Sequence, residues 1–244
     1  MSLRRLFVAD RIAAGAELRL GEDAARYLGR VLRLRVEESV KVFNGEDGEW
    51  LARIVRIGRN RVSLLVGERI RNDAESQLRT HLVQGVSRGE RMDFVVQKAT
   101  ELGVKRVTTV LTDHGVVKFD SPRAIKRREH WQRVAEHACE QCGRFRPPLI
   151  DAPLPLRDWF GGTRDRDATE LILHPNAAAA LSDLESPQAK LCLLIGPEGG
   201  FSEREYEDAG VAGFMPVSLG PRILRTETAA VAALSIMQSR FGDL

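Results

Sequence analysis

The chain has 244 residues and 43 % hydrophobic content, enough for one large domain or two modest ones, each with its own core. No apolar run approaches the roughly 18 residues that span a bilayer. Asp10, Arg11, Glu17 and Arg19 break up any signal-peptide core, and three cysteines are too few for a disulfide scaffold, so a soluble cytoplasmic protein with no membrane partner is expected. The net charge of +3 is unevenly divided. Residues 1–72 carry 15 lysines and arginines, 14 of them arginine, against 10 acids, whereas residues 73–244 carry 22 against 24. That asymmetry predicts a basic N-terminal module facing a polyanion and a near-neutral module with another task; arginine coating a solvated face is the competing explanation.

The first 70 residues read as short strands with one helix. Asp23–Leu34 places Ala24, Leu28, Val31 and Leu32 on one helical face. Val40–Phe43 runs into Asn44-Gly45 and then Trp50–Ile57, a hairpin signal because both turn residues tolerate positive φ. Arg61–Val66 supplies a further strand, and a small, mostly antiparallel β-barrel accounts for these elements. Arg71–Ser76 is polar and reads as the linker, so the expected domains are residues 1–72 and 73–244.

Beyond the linker, strands alternate with helices. Leu78–Val86 is extended, Ser87 and Glu90 have capping-box spacing, and Met92, Val95, Val96, Ala99 and Leu102 form a helical stripe that Gly103 ends. Val104–Leu111 is the next strand, followed by a long basic helix over about Pro122–Cys142. Asp151–Asp167, rich in proline, glycine and charge, reads as a surface loop. Three short strands follow at Leu171–His174, Leu191–Ile195 and Phe214–Ser218, and an alanine-rich helix, Glu227–Arg240, closes the chain. The fold class is α/β with a mostly parallel sheet.

Open parallel sheets bind ligands beyond the C-terminal ends of their strands, and three features stand there. The first is His174-Pro175. The second is Ile195-Gly-Pro-Glu-Gly-Gly200, with Ser202 and Glu205 at capping-box spacing just after it. The third is Ser218-Leu-Gly-Pro-Arg-Ile-Leu-Arg-Thr-Glu-Thr228. Glycine lets a ligand touch main-chain N–H and C=O groups, which suits a purine or an anion, although a tight turn needs glycine too. No G-x-G-x-x-G and no Walker lysine is present, which disfavours a Rossmann or P-loop site. Cys139-x-x-Cys142, with His130 and His137 upstream, lacks a second cysteine pair, so no metal site is expected. Lys126-Arg-Arg128 reads as a solvated helix face.

Taken together, Ser87–Met92, Gln97-Lys98 with Glu101–Gly103, Cys139–Arg144, His174-Pro175, Leu194–Gly200 and Leu219–Ala229 closely resemble the RsmE family, the 16S rRNA (uracil-N3)-methyltransferases of the SPOUT class. The resemblance extends over essentially the whole chain, including Arg5 to Phe7 and Val31-Leu-Arg33. It implies a PUA-like RNA-binding domain followed by a SPOUT domain with a deep trefoil knot, an exception to the rule against threaded chains. It further implies a homodimer with the active site at its interface, S-adenosylmethionine as cofactor, and uridine 1498 of the small-subunit RNA as target. The cofactor residues implied are Leu173, His174, Pro175, Ile195, Gly196, Pro197, Gly199, Gly200, Ser218, Leu219, Gly220, Ile223 and Leu224, and the RNA contacts are Arg5, Arg30, Arg33, Arg88, Arg144 and Arg222. Tyr27 stands where the family usually has His, and His114 where it often has Arg; both lie outside the loop segments.

Uracil N3 carries a proton and lies on the Watson–Crick edge, so the uridine must be unpaired or flipped, and charge develops on the ring as the proton leaves. Arg225 is expected to stabilise that charge, with Glu198 or Glu227 as base or orienting group. The rival readings are a non-catalytic RNA-binding or ribosome-assembly factor, against which the intact loop glycines argue, and ribose 2′-O-methylation, which Arg225–Thr228 matches less well.

Overall fold

The computed structural model describes residues 3–71, 73–115, 121–185 and 189–244. Asn72 in the expected linker and residues 116–118 of the segment around His114 lie outside them. Two compact units emerge. One is Met1–Glu75 with Cys139–Pro147; the other is Ser76–Ala138 with Pro148–Leu244.

The N-terminal unit is a curled five-stranded half-barrel built from β1 (Arg5–Phe7), β2 (Glu17–Leu20), β3 (Ser39–Phe43), β4 (Glu49–Ile57) and β5 (Val62–Ile70), in the order β1-β3-β4-β5-β2. Only β1 and β3 run parallel. Alternation sends Val40, Val42, Ala52, Ile54, Val62, Leu64 and Val66 into one core. The helix expected over Asp23–Leu34 is shorter. An α-helical turn, α1 (Glu22–Arg26), passes into a π-helical turn at Tyr27–Val31. The wider turn rotates the face that follows it: Leu28 stays buried, but Val31 is 64 % exposed rather than packed.

The second unit is a seven-stranded parallel sheet. Its members are β6 (Arg79–Gly85), β7 (Arg106–Leu111), β8 (Leu149–Ile150), β9 (Leu154–Pro155), β10 (Thr169–Leu173), β11 (Lys190–Ile195) and β12 (Met215–Val217), in the order β12-β10-β11-β6-β7-β8, with β9 also beside β7. Both faces are covered, which is why the strands read as continuous apolar runs. Leu82, Leu171 and Leu193 point to a core shared with α2 (Arg91–Glu101), Trp131 and Ala135 of α3 (Ser121–Cys142), and α6 (Thr226–Phe241). Their neighbours Val83, Ile172 and Leu194 point to the other core, with α4 (Leu156–Gly161) and α5 (Glu203–Val211).

Two local expectations are corrected. Ser87 does not cap α2: Gly89 takes a φ of +63°, the helix begins only at Arg91, and no side chain caps it. Asp151–Asp167 is not a bare surface loop, since it contains β9 and α4 and buries Leu156 and Trp159. Trp159 packs against Phe160 and Phe214, and the Arg164 guanidinium lies 5.6 Å from its ring. Arg164 is itself held by Glu170 at 2.6 Å. Trp159→Ala is therefore expected to cost about 3–5 kcal/mol of unfolding free energy. Urea denaturation measures it, and a loss under about 1 kcal/mol would show that α4 is not part of this core.

Candidate active site

The site begins with four parallel strands that end side by side. At the end of β6, Gln84 is fully buried and Gly85 lies so close to the β11 loop that an added Cβ would sit 2.4 Å from Pro197 Cδ and 2.5 Å from its nitrogen. Gln84 Nε2 donates to Gly85 O (3.2 Å) and to Thr226 Oγ1 (2.9 Å), and Thr226 Oγ1 donates to Gly196 O (2.6 Å). One amide and one hydroxyl thus tie β6, the β11 loop and the first residue of α6 together. The next helix is fixed by the expected capping box. Glu205 N donates to Ser202 Oγ, Ser202 N donates to Glu205 Oε2, and Ser202 Oγ also donates to Asp113.

The loop after β12 is tied from outside. Leu181 N donates to Ser218 O and Ser218 N donates to Ala179 O, so the β10–β11 connection runs alongside the chain leaving β12. From Leu219 to Leu224, among the described residues, no main-chain group takes part in a main-chain hydrogen bond. Gly220 to Ile223 are exposed, so these main-chain groups are open to water or to a ligand.

These loops enclose a cleft of about 480 Å³. Of the expected cofactor residues, Leu173, His174, Pro175, Ile195, Gly196, Pro197, Gly200, Leu219, Gly220, Ile223 and Leu224 line it. Gly199 and Ser218 do not. An added Cβ at Gly199 would meet His114 at 2.9 Å, and the His114 ring also contacts Gly199 O at 3.1 Å, so His114, although distant in sequence, braces the second loop. Ser218 instead uses its main chain on the neighbouring connection. Phe201, Tyr206, Val217, Arg91, Thr226 and Ala229 also line the cleft and were not expected. Tyr206 was findable only as the residue one turn into a helix whose cap was legible; its ring lies 4.3 Å from that of His174.

The three candidate catalytic residues all line the cleft. Arg225 and Arg222 are exposed. Glu198 Oε1 accepts from Arg88 N (3.2 Å) and from Arg91 Nη1. Burial works to raise the Glu198 pKa, but a hydrogen bond from its own amide, the Arg91 guanidinium and the Arg88 amide outweigh it and hold the carboxyl below its usual range.

The candidate RNA residues divide. Arg30 and Arg33 are exposed on the N-terminal unit, around its π-helical turn, and Arg33 holds a φ of +55°. Arg88 is exposed on the second unit, where Arg222 lines the cleft. Arg5 and Arg144 are corrections to the expectation of RNA contact, because both are turned inward. Arg5 donates to Glu49 (2.6 Å) and to the carbonyls of Cys139 and Arg144, while Arg144 pairs with Glu75 at 3.1 Å. Buried guanidinium groups of this kind hold the unit together and are not available to phosphate.

A second cavity of about 490 Å³ opens at the N-terminal ends of the same strands, around His81, Arg106, Asp151 and Trp159. Three ion pairs span its lining: Arg106 with Asp151 at 2.7 Å, Arg164 with Glu170 at 2.6 Å and Lys190 with Asp165 at 2.8 Å. Burial, with Arg106 adding to it, lowers the His81 pKa to about 4, so its ring is neutral at pH 7. The glycine loops at the C-terminal strand ends, with Arg222 and Arg225 beside them, lie at the opposite end of the sheet, where parallel sheets bind ligands.

Known proteins agree with this geometry. An RNA methyltransferase domain model matches residues 74–238, and an RNA methyltransferase PUA domain model matches residues 20–66. Ribosomal RNA small subunit methyltransferase E of Buchnera aphidicola is 34 % identical over 98 % of this chain and 94 % of its own. The chain belongs to the ribosomal RNA small subunit methyltransferase E family. Two solved structures cover 100 % of both chains: a Legionella pneumophila protein with bound SAM (38 % identity, TM-score 0.93), and a Neisseria gonorrhoeae family member bound to S-adenosyl methionine (35 %, 0.92). The fold is accordingly a mostly parallel α/β domain after a PUA-like half-barrel, as in these relatives.

Within this family member, the Thr226 hydroxyl is the joint between loops. Thr226→Val removes a donor to Gly196 O and an acceptor for Gln84, and is expected to cost about 1–3 kcal/mol, with Thr226→Ser near the parent. Thermal and urea unfolding measure both. Equal stability of the valine variant would remove the joint.

Proposed function

We propose that this protein is a cytoplasmic enzyme that methylates N3 of a uridine in 16S ribosomal RNA, position 1498 of the RNA, using S-adenosylmethionine. The observation that carries the reading is the convergence of three strand-end loops on one cleft whose third loop leaves its main chain unpaired. The residues fit that cofactor. Its volume, about 480 Å³, lies within the roughly 300–1,000 Å³ range of small-molecule sites. Leu173, Phe201, Tyr206, Leu219 and Ile223 supply apolar wall, and Gly200 and Gly220, with φ of +70° and +92°, leave open space where a Cβ would be.

When bound, S-adenosylmethionine supplies an electrophilic sulfonium methyl group, so the protein's task is alignment and control of one proton. Arg225, exposed at the cleft with no partner among the described residues, offsets the charge that develops on the uracil carbonyls. Glu198 and Glu227 share the roles of base and orienting group. Residues 1–72 form the RNA-binding domain, with Arg30 and Arg33 as phosphate contacts, and residues 73–244 the methyltransferase domain, with Arg88 and Arg222 at its RNA surface. Assembly as a homodimer acting on the small subunit belongs to the same proposal. Ile223, 88 % exposed beside the cleft, supports it as an apolar anchor for a second copy.

Arg225→Ala, Glu198→Ala and Glu227→Ala are each expected to fold and to bind S-adenosylmethionine while losing at least about 100-fold in methyl transfer. Calorimetry and mass-spectrometric mapping of modified uridines check this. Full transfer by one variant removes that residue from the chemistry, and modification of a ribose hydroxyl would replace the proposed reaction.

A further inference from the structure

Glu198 and Glu227 both line the cleft, and their environments differ in a way that assigns them different work. Between them stands Arg91, the first residue of α2, which also lines the cleft. Its Nη1 contacts Glu198 Oε1, and its Nε lies 3.9 Å from Glu227 Oε1. Glu198 Oε1 is engaged twice, because it also accepts the Arg88 amide. Glu227 differs. Its Oε2 is buried and has no hydrogen-bond partner among the described residues. A buried carboxylate oxygen without a donor is costly, and it is a site at which a ligand can supply one.

We infer that Arg91 is a positioning residue that divides the two carboxylates, with Glu198 anchoring its guanidinium and Glu227, held by it, taking the proton from the uracil. This rests on the proposed methyl transfer and deepens it. N3–H donates to Glu227, the proton moves to the carboxylate, and N3 keeps the electron pair that forms the new N–C bond as the sulfonium S–C bond breaks, its pair staying on the departing thioether sulfur. The terminal torsion of a glutamate is broad and two-fold, so the buried oxygen can exchange with the one facing Arg91 and the cleft. A base so placed is fixed before the substrate arrives. The other charged or titratable groups facing this pair are Arg88 before α2, His174 after β10, Tyr206 on α5, and Arg222 and Arg225 before α6. Arg91 was not singled out from the sequence because an arginine one residue into a helix is ordinarily a solvated cation.

The test compares Arg91→Met and Arg91→Lys in the full-length protein. In Arg91→Met, kcat is expected to fall about 10–100-fold. The Glu198 carboxyl, which loses a cation that holds its pKa down, titrates at higher pH. Arg91→Lys restores part of both, since a point charge replaces a fork. S-adenosylmethionine affinity by calorimetry stays within about twofold. A readout without turnover accompanies these: carbon-13 NMR titration of the Glu198 carboxyl, without cofactor or RNA, follows its move to higher pH in Arg91→Met. An unmoved Glu198 titration overturns the inference whatever the activity, as does a loss confined to cofactor or RNA affinity. If the parent protein transfers no methyl group, the proposed function fails separately, while the titration still decides whether Glu198 anchors Arg91.

Discussion

Gly85 and Pro197 are in contact because β6 and β11 are adjacent parallel strands that end at the same level. No side chain fits between them, and that exclusion lets one buried amide, Gln84, reach both the β11 loop and Thr226 at the start of α6. The rest of the cleft depends on this contact. With the second loop fixed against β6, the first turn of α6 is fixed too, and Glu227 and Arg225 are delivered to the cleft by helix geometry rather than by loop flexibility. The third loop is held only at its ends, through Ser218 and Thr226, and keeps its middle for a ligand.

Polarity is arranged in the same order. Apolar and aromatic side chains form the wall, main chain supplies the hydrogen-bonding rim, and charge is restricted to Arg91, Glu198, Arg222, Arg225 and Glu227. In the N-terminal unit the arrangement is reversed. Arg5 and Arg144 are enclosed with Glu49 and Glu75 to fix the end of α3 against β1, whereas Arg30 and Arg33 stand outside. Among the arginines of residues 1–72, Arg5 thus pairs internally, whereas Arg30 and Arg33 belong to an exposed basic surface.

Much of this was legible in the residues. Strand ends, the Ser202 capping box, the apolar stripe of α2 and the glycine loops follow from periodicity and from backbone freedom that only glycine has, and all four stand in the structure. The failures share a cause: spacing is local and packing is not. Ser87 and Glu90 have the right interval, but Gly89 turns the chain before the helix starts. Val31 has the right period for an α-helix and is exposed because the turn beneath it is π. Trp159 sits in a segment of loop composition, yet one buried indole among Phe160, Phe214 and Arg164 suffices to make a helix of it. Arg5 and Arg144 look like RNA contacts until their carboxylate partners, 44 and 69 residues away in the chain, are seen. The tie from Gln84 to Thr226, across 142 residues, has no sequence signature at all.

The most direct measurement is amide hydrogen exchange of the full-length protein with and without saturating S-adenosylmethionine. Three separated segments, around 173–175, 195–200 and 218–225, should gain protection together, while residues 79–81 and 105–108 at the far end of the sheet should not change. Protection confined to the far cavity, or to one loop without the other two, would contradict a methyl-donor site formed where the three loops meet.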